Sequence, residues 1–230
     1  ITDKANKWEW TFFPGTDVTA EGTVSDFLSE REFSFNKPGK YTVQLKAYNV
    51  IDSANSANAI IKGNFVIVVD PCIPIISVTT STDVANANFT LQDNNSGKYI
   101  IQNKSDVGVS YEDFTKELGV TYVNYGATYN FEMQRVSNIN AMTRKIWIDW
   151  NVDGDFEDAG ELVASQASGT SMNWTGSFTV PDVTGAFDAI TRMRLGVSYG
   201  TDPNHPCGAN GAPNSNRIGE FEDYAIRVQN

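Results

Sequence analysis

The chain has 230 residues, 40% of them apolar and 12% aromatic, and carries a formal net charge of −11 with a pI of about 4.5. That length suits two ordinary domains, and the acidity excludes a nucleic-acid partner, whose phosphates need clustered Lys and Arg. No apolar run approaches the roughly 20 residues that cross a bilayer, so no membrane insertion is expected.

The opening ITDKANK is polar, lacks a signal-peptide pattern, and reads as the start of a mature product or a fragment. The segments KWEWTFF, REFSF, YTVQLKAYN and NFVIVV follow, alternating or continuously apolar over strand lengths, with Gly, Asp and Asn between them. Trp8, Trp10 and Phe12 share one strand face, Tyr41, Val43 and Leu45 another, and the two sets are expected to pack together. Phe13 points the other way beside Pro14; it is a candidate aromatic for a sugar or protein ligand, or a half-buried turn residue. At VVDPCIPIIS the pattern breaks into a proline-flanked linker. Beyond it come NFTLQD, KYIIQN, TYNFEMQRV, KIWIDW, WTGSFTV, MRLGVSY and DYAIRV, again strand-like, and no segment holds a helical period. The expectation is all-β: two β-sandwich domains, residues 1–70 and 71–230.

Cys72 and Cys207 are the two cysteines, each preceded by proline and neither in a CxxC pair. With His205 the single histidine, a zinc site lacks ligands. A Cys72–Cys207 disulfide, and with it an oxidising compartment, is the favoured reading over two free thiols. Cys207 would pin the Gly/Pro/Asn-rich loop 200–218.

The stretch IWIDWNVDGDFEDAGELV is dense in acids. Asp149, Asn151, Asp153 and Gly154 follow the D-x-N-x-D-G start of an EF-hand calcium loop. Gly160 stands where that loop's closing acid belongs, Glu161 comes one position later, and strand-like segments flank the loop on both sides. The expectation is an EF-hand-like calcium loop between strands, with Asp149, Asn151, Asp153, Asp155 and Glu161 as ligands; an empty acidic turn is the alternative. A catalytic carboxylate pair is disfavoured, because a general acid needs a desolvated site and this cluster is hydrophilic.

Trp8, Trp10, Phe12 and Gly15, with Gly39, Tyr41, Val43, Leu45 and Asn49, resemble the PKD domain over about residues 5–70. Thr11, Phe13 and Pro14 stand where that family's acidic turn has Asp, Gly and Asp. The acidic stretch, TVP, TRMRLGVSY, PCG and the terminal GEFEDYAIRV together resemble the GEVED domain over about residues 72–230. Gly219, Glu220, Phe221, Glu222 and Asp223 match its name-giving motif, with Phe in place of Val. The resemblance implies an immunoglobulin-like domain followed by a larger, jelly-roll-like one. It also implies cysteines at the positions of Cys72 and Cys207, and a non-catalytic module in large secreted or surface proteins of Bacteroidetes, beside other domains of the same chain.

Glu220 and Glu222 share a strand face with Tyr224, Ile226 and Val228. Arg192 and Arg194, two apart on another strand, are their expected partners in a structural ion network. Alternatives are that Glu222 or Asp223 completes the calcium shell, or that the acids lie on a surface edge.

The functional expectation is a binding module for polysaccharide or extracellular matrix protein, secreted or at the cell surface, with Phe13 and Trp174 as ligand-contact aromatics. The second reading is a spacer or filament segment rigidified by calcium. An enzyme is the least favoured, since one histidine in a loop supports no Ser-His-Asp set.

Overall fold

Among the described residues, period-two patterning becomes fourteen β-strands and no helix, in a computed structural model of the chain. The structure describes residues 7–14, 22–26, 39–48, 58–68, 72–74, 85–105, 109–183, 189–199, 206–207 and 218–229. The chain forms two compact units, Ile1–Asp70 and Pro71–Asn230.

In the first unit, β1 (Lys7–Pro14), β2 (Gly22–Asp26), β3 (Gly39–Tyr48) and β4 (Asn58–Val68) form one antiparallel sheet in the order β2-β1-β3-β4. Trp8 and Trp10 stand opposite Ala47 and Leu45, which places these apolar residues on one sheet face, and Phe12, whose side chain lies outside the described residues, pairs with Val43 in the register. Tyr41, Val43 and Ala47 are buried, while Trp8, Trp10 and Leu45 are half-buried. On the opposite face Lys46 meets Glu9 at 3.4 Å. The side chain of Phe13 lies outside the described residues.

The second unit is a sandwich of two sheets. One runs β11 (Leu162–Gly169), β10 (Met142–Ile148), β13 (Ile190–Tyr199), β14 (Ile218–Gln229), β7 (Tyr111–Asp113), and β8 (Val120–Asn124) also pairs with β14. Both β7 and β8 run parallel to β14, along its first and second halves. The other sheet runs β12 (Asn173–Thr179), β9 (Thr128–Arg135), β5 (Asn86–Asp93), β6 (Tyr99–Lys104), antiparallel throughout. Between the layers Phe89 meets Tyr224 with ring centroids 5.3 Å apart, and Trp150 meets Phe178 at 6.2 Å. Phe89, Leu91, Met133, Ile146, Leu195, Val197 and Ile226 are fully buried there. Each such side chain contributes about 1.5–3 kcal/mol relative to exposure.

Every residue of β10 is buried. A sheet with one wet face would alternate. Here the outer face is covered as well: Trp147, Phe156 and Phe221 form a second apolar cluster, with Tyr111 packed against it. Phe156 comes from the acidic loop, so that loop is folded down onto the sheet rather than projecting from it.

Cys72 and Cys207 are joined by a disulfide with Cα atoms 5.5 Å apart, as expected from the sequence. It lies beside the same outer face, because Arg194 donates from Nη1 to Cys72 Sγ at 3.3 Å and to the Pro206 carbonyl at 3.1 Å.

Candidate functional site

Strand β14 carries the acids of GEFED, and alternation sends them to opposite faces. Directly opposed residues of an antiparallel pair share a face. Asp223 stands opposite Arg194, whereas Glu220 and Glu222 stand opposite Val197 and Leu195. The arginines are therefore on the outer face and the glutamates on the inner one. The expected pairing of Arg192 and Arg194 with Glu220 and Glu222 is corrected accordingly: the arginines bind Asp223.

Arg194 donates from Nε to Asp223 Oδ1 and from Nη2 to Oδ2, both at 2.6 Å, and both side chains are fully buried. Arg192 adds a contact to Oδ2 at 2.8 Å and Tyr111 donates its hydroxyl there at 2.9 Å. Burial, then the Asp223 charge, pushes the Tyr111 phenol up to about 12. Phe156 lies over the Arg194 guanidinium at 5.0 Å, a cation–π contact that ties the acidic loop to this ion pair.

On the inner face the glutamates meet neutral donors. Asn86 gives its backbone N–H to Glu220 Oε2 at 2.8 Å and its amide Nδ2 to Glu222 Oε1 at 3.1 Å. Ser105 and Tyr224 donate their hydroxyls to Glu222 at 2.5 and 2.6 Å. Glu112, opposite Glu222 on β7, completes a trio whose carboxylate oxygens lie within 4.8 Å of one another. Burial, then the neighbouring Glu222 charge, raises Glu220 to about 11, and burial raises Glu222 as well.

The acidic loop divides into two kinds of acid. Asp149 and Glu161 are buried, and each uses both oxygens on loop amides. Asp149 accepts from the N–H of Asp153 at 3.2 Å and of Gly154 at 3.1 Å. Glu161 accepts from Trp150 at 3.0 Å and Asp158 at 3.1 Å. Burial, the largest influence on each, raises Asp149 to about 6 and Glu161 to about 7 despite these hydrogen bonds. These two fasten the loop shut. Val152 within it has φ of 59°, a left-handed conformation that costs a β-branched residue about 1–3 kcal/mol and persists because the fastened loop buries that side chain.

The exposed acids gather separately: Asp153, Asp155 and Asp158 bring carboxylate oxygens within 4.8 Å of one another. Asn151 directs its Nδ2 to Asp153 at 2.9 Å and to Asp158 at 2.5 Å. Of the five expected ligands, then, Asp153 and Asp155 lie in the cluster, Asn151 borders it, and Asp149 and Glu161 work on the backbone. Asp158 was not among the expected ligands, although it lies in the same run of acids.

Trp174, expected as a ligand-contact aromatic, stands opposite Met133 on the inner face of its sheet. Its ring is 4.8 Å from Phe131, nearly perpendicular, and the Arg144 guanidinium lies 5.9 Å from its centre. It is half-buried and packs against these two side chains. Buried Arg144 donates to the carbonyls of Met133, Ser171 and Met172 and to Gln166, and burial, then Arg135, lowers it to about 10.

The outer face of the β12-β9-β5-β6 sheet carries an open groove of about 370 Å³. Thr90, Gln92, Asn130, Glu132, Thr175 and Ser177 line it, and Tyr99, 48% exposed, stands among them. This surface was not anticipated; the one cue was the outward place of Tyr99 in the alternation of KYIIQN.

Residues 143–227 match the family model of the GEVED domain. The GEVED match runs from β10 to β14, and so takes in the acidic loop and the Arg194–Asp223 pair but not β5, β6 or β9. The GEVED domain is a recognised module of larger proteins. No curated protein matches the chain.

Proposed function

We propose that the chain is a non-catalytic pair of modules of a larger secreted or cell-surface protein, a PKD-like first unit and a GEVED second unit, and that the second unit binds polysaccharide. The observation that carries this reading is the groove on the β12-β9-β5-β6 sheet. Hydroxyls and amides there match the donor and acceptor pattern of sugar hydroxyls, and Tyr99 offers one exposed ring for the apolar face of a pyranose. A matrix-protein ligand is favoured less, because a protein interface is centred on a larger apolar patch than one tyrosine provides.

The expected result is binding of the purified chain to a subset of a glycan array, lost on Tyr99→Ala with an unchanged melting temperature. Binding that survives both Tyr99→Ala and Glu132→Ala overturns the groove as the site. Absence of binding to glycans and matrix proteins alike favours the spacer reading.

The same reading gives the acidic loop a calcium ion. Asp153, Asp155 and Asp158 supply a hard, oxygen-only donor set, and Asp149 and Glu161 hold the loop in the shape that gathers them. The triple change Asp153→Asn, Asp155→Asn and Asp158→Asn is expected to remove one calcium per chain, read by equilibrium dialysis. An unchanged calcium count overturns this assignment.

A further inference from the structure

The inner face of β14 holds a chemical imbalance that the groove and the acidic loop do not explain. Glu112, Glu220 and Glu222 place three carboxylates within 4.8 Å of one another, and Glu220 and Glu222 are 1% and 0% exposed. Among the described residues no Lys or Arg pairs with either buried glutamate. Arg192 and Arg194 are spent on Asp223 across the sheet, and Arg227 of β14 stands at the parity of Asp223, not of the two glutamates. Oε1 of Glu220 and Oδ1 of Asn86 are buried and accept no hydrogen bond. Asn86 is itself 1% exposed and is bound to both glutamates through its backbone and side-chain nitrogens. Buried acceptors are ordinarily satisfied, and each orphan costs about 1–3 kcal/mol.

We propose that Glu112, Glu220, Glu222 and Asn86 form a buried site for a calcium ion between the two sheets of the second unit. Calcium sits 2.3–2.6 Å from its oxygens, so oxygens on opposite sides of it lie about 5 Å apart, which matches the spread of this trio. The donor set is oxygen alone, without a nitrogen or sulfur that would draw zinc. Ser105 and Tyr224, donating to Glu222, orient that carboxylate as outer partners do in metal sites. Glu112, partly exposed on the short strand β7, is where an ion would enter. A shared proton is the competing account. It supplies one donor, whereas an ion satisfies Glu220 Oε1 and Asn86 Oδ1 together and offsets two of the three negative charges.

The test uses the whole chain, stripped with chelator and dialysed against calcium. In protein carrying the loop changes Asp153→Asn, Asp155→Asn and Asp158→Asn, one calcium per chain is expected to remain, and adding Glu220→Gln to that background is expected to remove it. Far-ultraviolet circular dichroism reports whether the Gln variant folds; if it does not, the count in the loop variant alone decides. No calcium in the loop variant, or calcium retained by a folded Glu220→Gln protein, overturns the proposal. So does displacement by magnesium at equal concentration, since a site demanding a tight octahedron is not this one. Failure of the loop assignment reads differently: wild type and loop variant then hold the same amount.

Discussion

The two faces of strand β14 carry acids three residues or fewer apart in sequence, yet solve their burial in opposite ways. Outward, Asp223 has two guanidinium partners and a phenol, so its charge is answered in place. Inward, Glu220 and Glu222 meet an amide, two hydroxyls and a third carboxylate. The residue types are nearly the same; what differs is which face of β13 each one meets. Arg194 at the position opposite Asp223, and Leu195 and Val197 opposite the glutamates, decide the outcome. A carboxylate in a core is thus not a single kind of object. Its role follows from the parity of its position against that of the nearest cation.

Changes on the outer face grade this comparison. Arg194→Ala removes the buried partner and leaves Asp223 short of a bidentate donor, and is expected to cost about 3–5 kcal/mol in urea unfolding. Cys72→Ser, by releasing the bond that brings Cys72 and Pro206 to Arg194, is expected to cost about 2–4 kcal/mol by the same measurement. Gly196→Ala pushes a methyl toward Phe221 and Trp147, whose ring atoms would lie 2.7 and 2.9 Å from it; about 1–3 kcal/mol is expected. Arg192→Ala, with its side chain 24% exposed and Arg194 still in place, should cost about 1 kcal/mol. Asp113→Asn weakens the long, exposed contact to Arg192 at 3.8 Å while keeping an oxygen for the Thr115 N–H and hydroxyl, and should stay within about 0.5 kcal/mol. If Arg192→Ala costs as much as Arg194→Ala, the outer face is one indivisible network rather than a buried pair with an exposed helper.

Much of the fold was readable because burial in sheets leaves a period of two. That period located most strands, placed Trp8, Trp10 and Phe12 opposite β3, and put Glu220, Glu222 and Tyr224 on one face. The disulfide was readable from scarcity, two cysteines with nothing else to do. Pairing partners were not readable, because parity within one strand says nothing about parity in its neighbour; the arginines were assigned to the wrong face for that reason. Glu112 and Asn86 join the inner cluster only through strand order, from more than a hundred residues away. Within the loop, spacing marked the acids but not the division between those that bind backbone amides and those that face water. Trp174 was a candidate only as an aromatic of unknown exposure, and its inward parity places it against Phe131 and Arg144.

The disulfide also sets how the second unit answers a pull. Tension applied at the two ends of the chain enters this unit near Cys72 and leaves beyond β14. Because Cys72 and Cys207, 135 positions apart, are bonded, the chain between them is short-circuited: the force crosses the sulfurs and bypasses most of the sandwich. Stretched out, that bypassed length would be roughly 450 Å at the reach of an extended chain. In the oxidised protein only the segment after Cys207, with β14 in it, can be drawn out. In a single-molecule stretching experiment, reduction should lengthen the second unit's unfolding step several-fold.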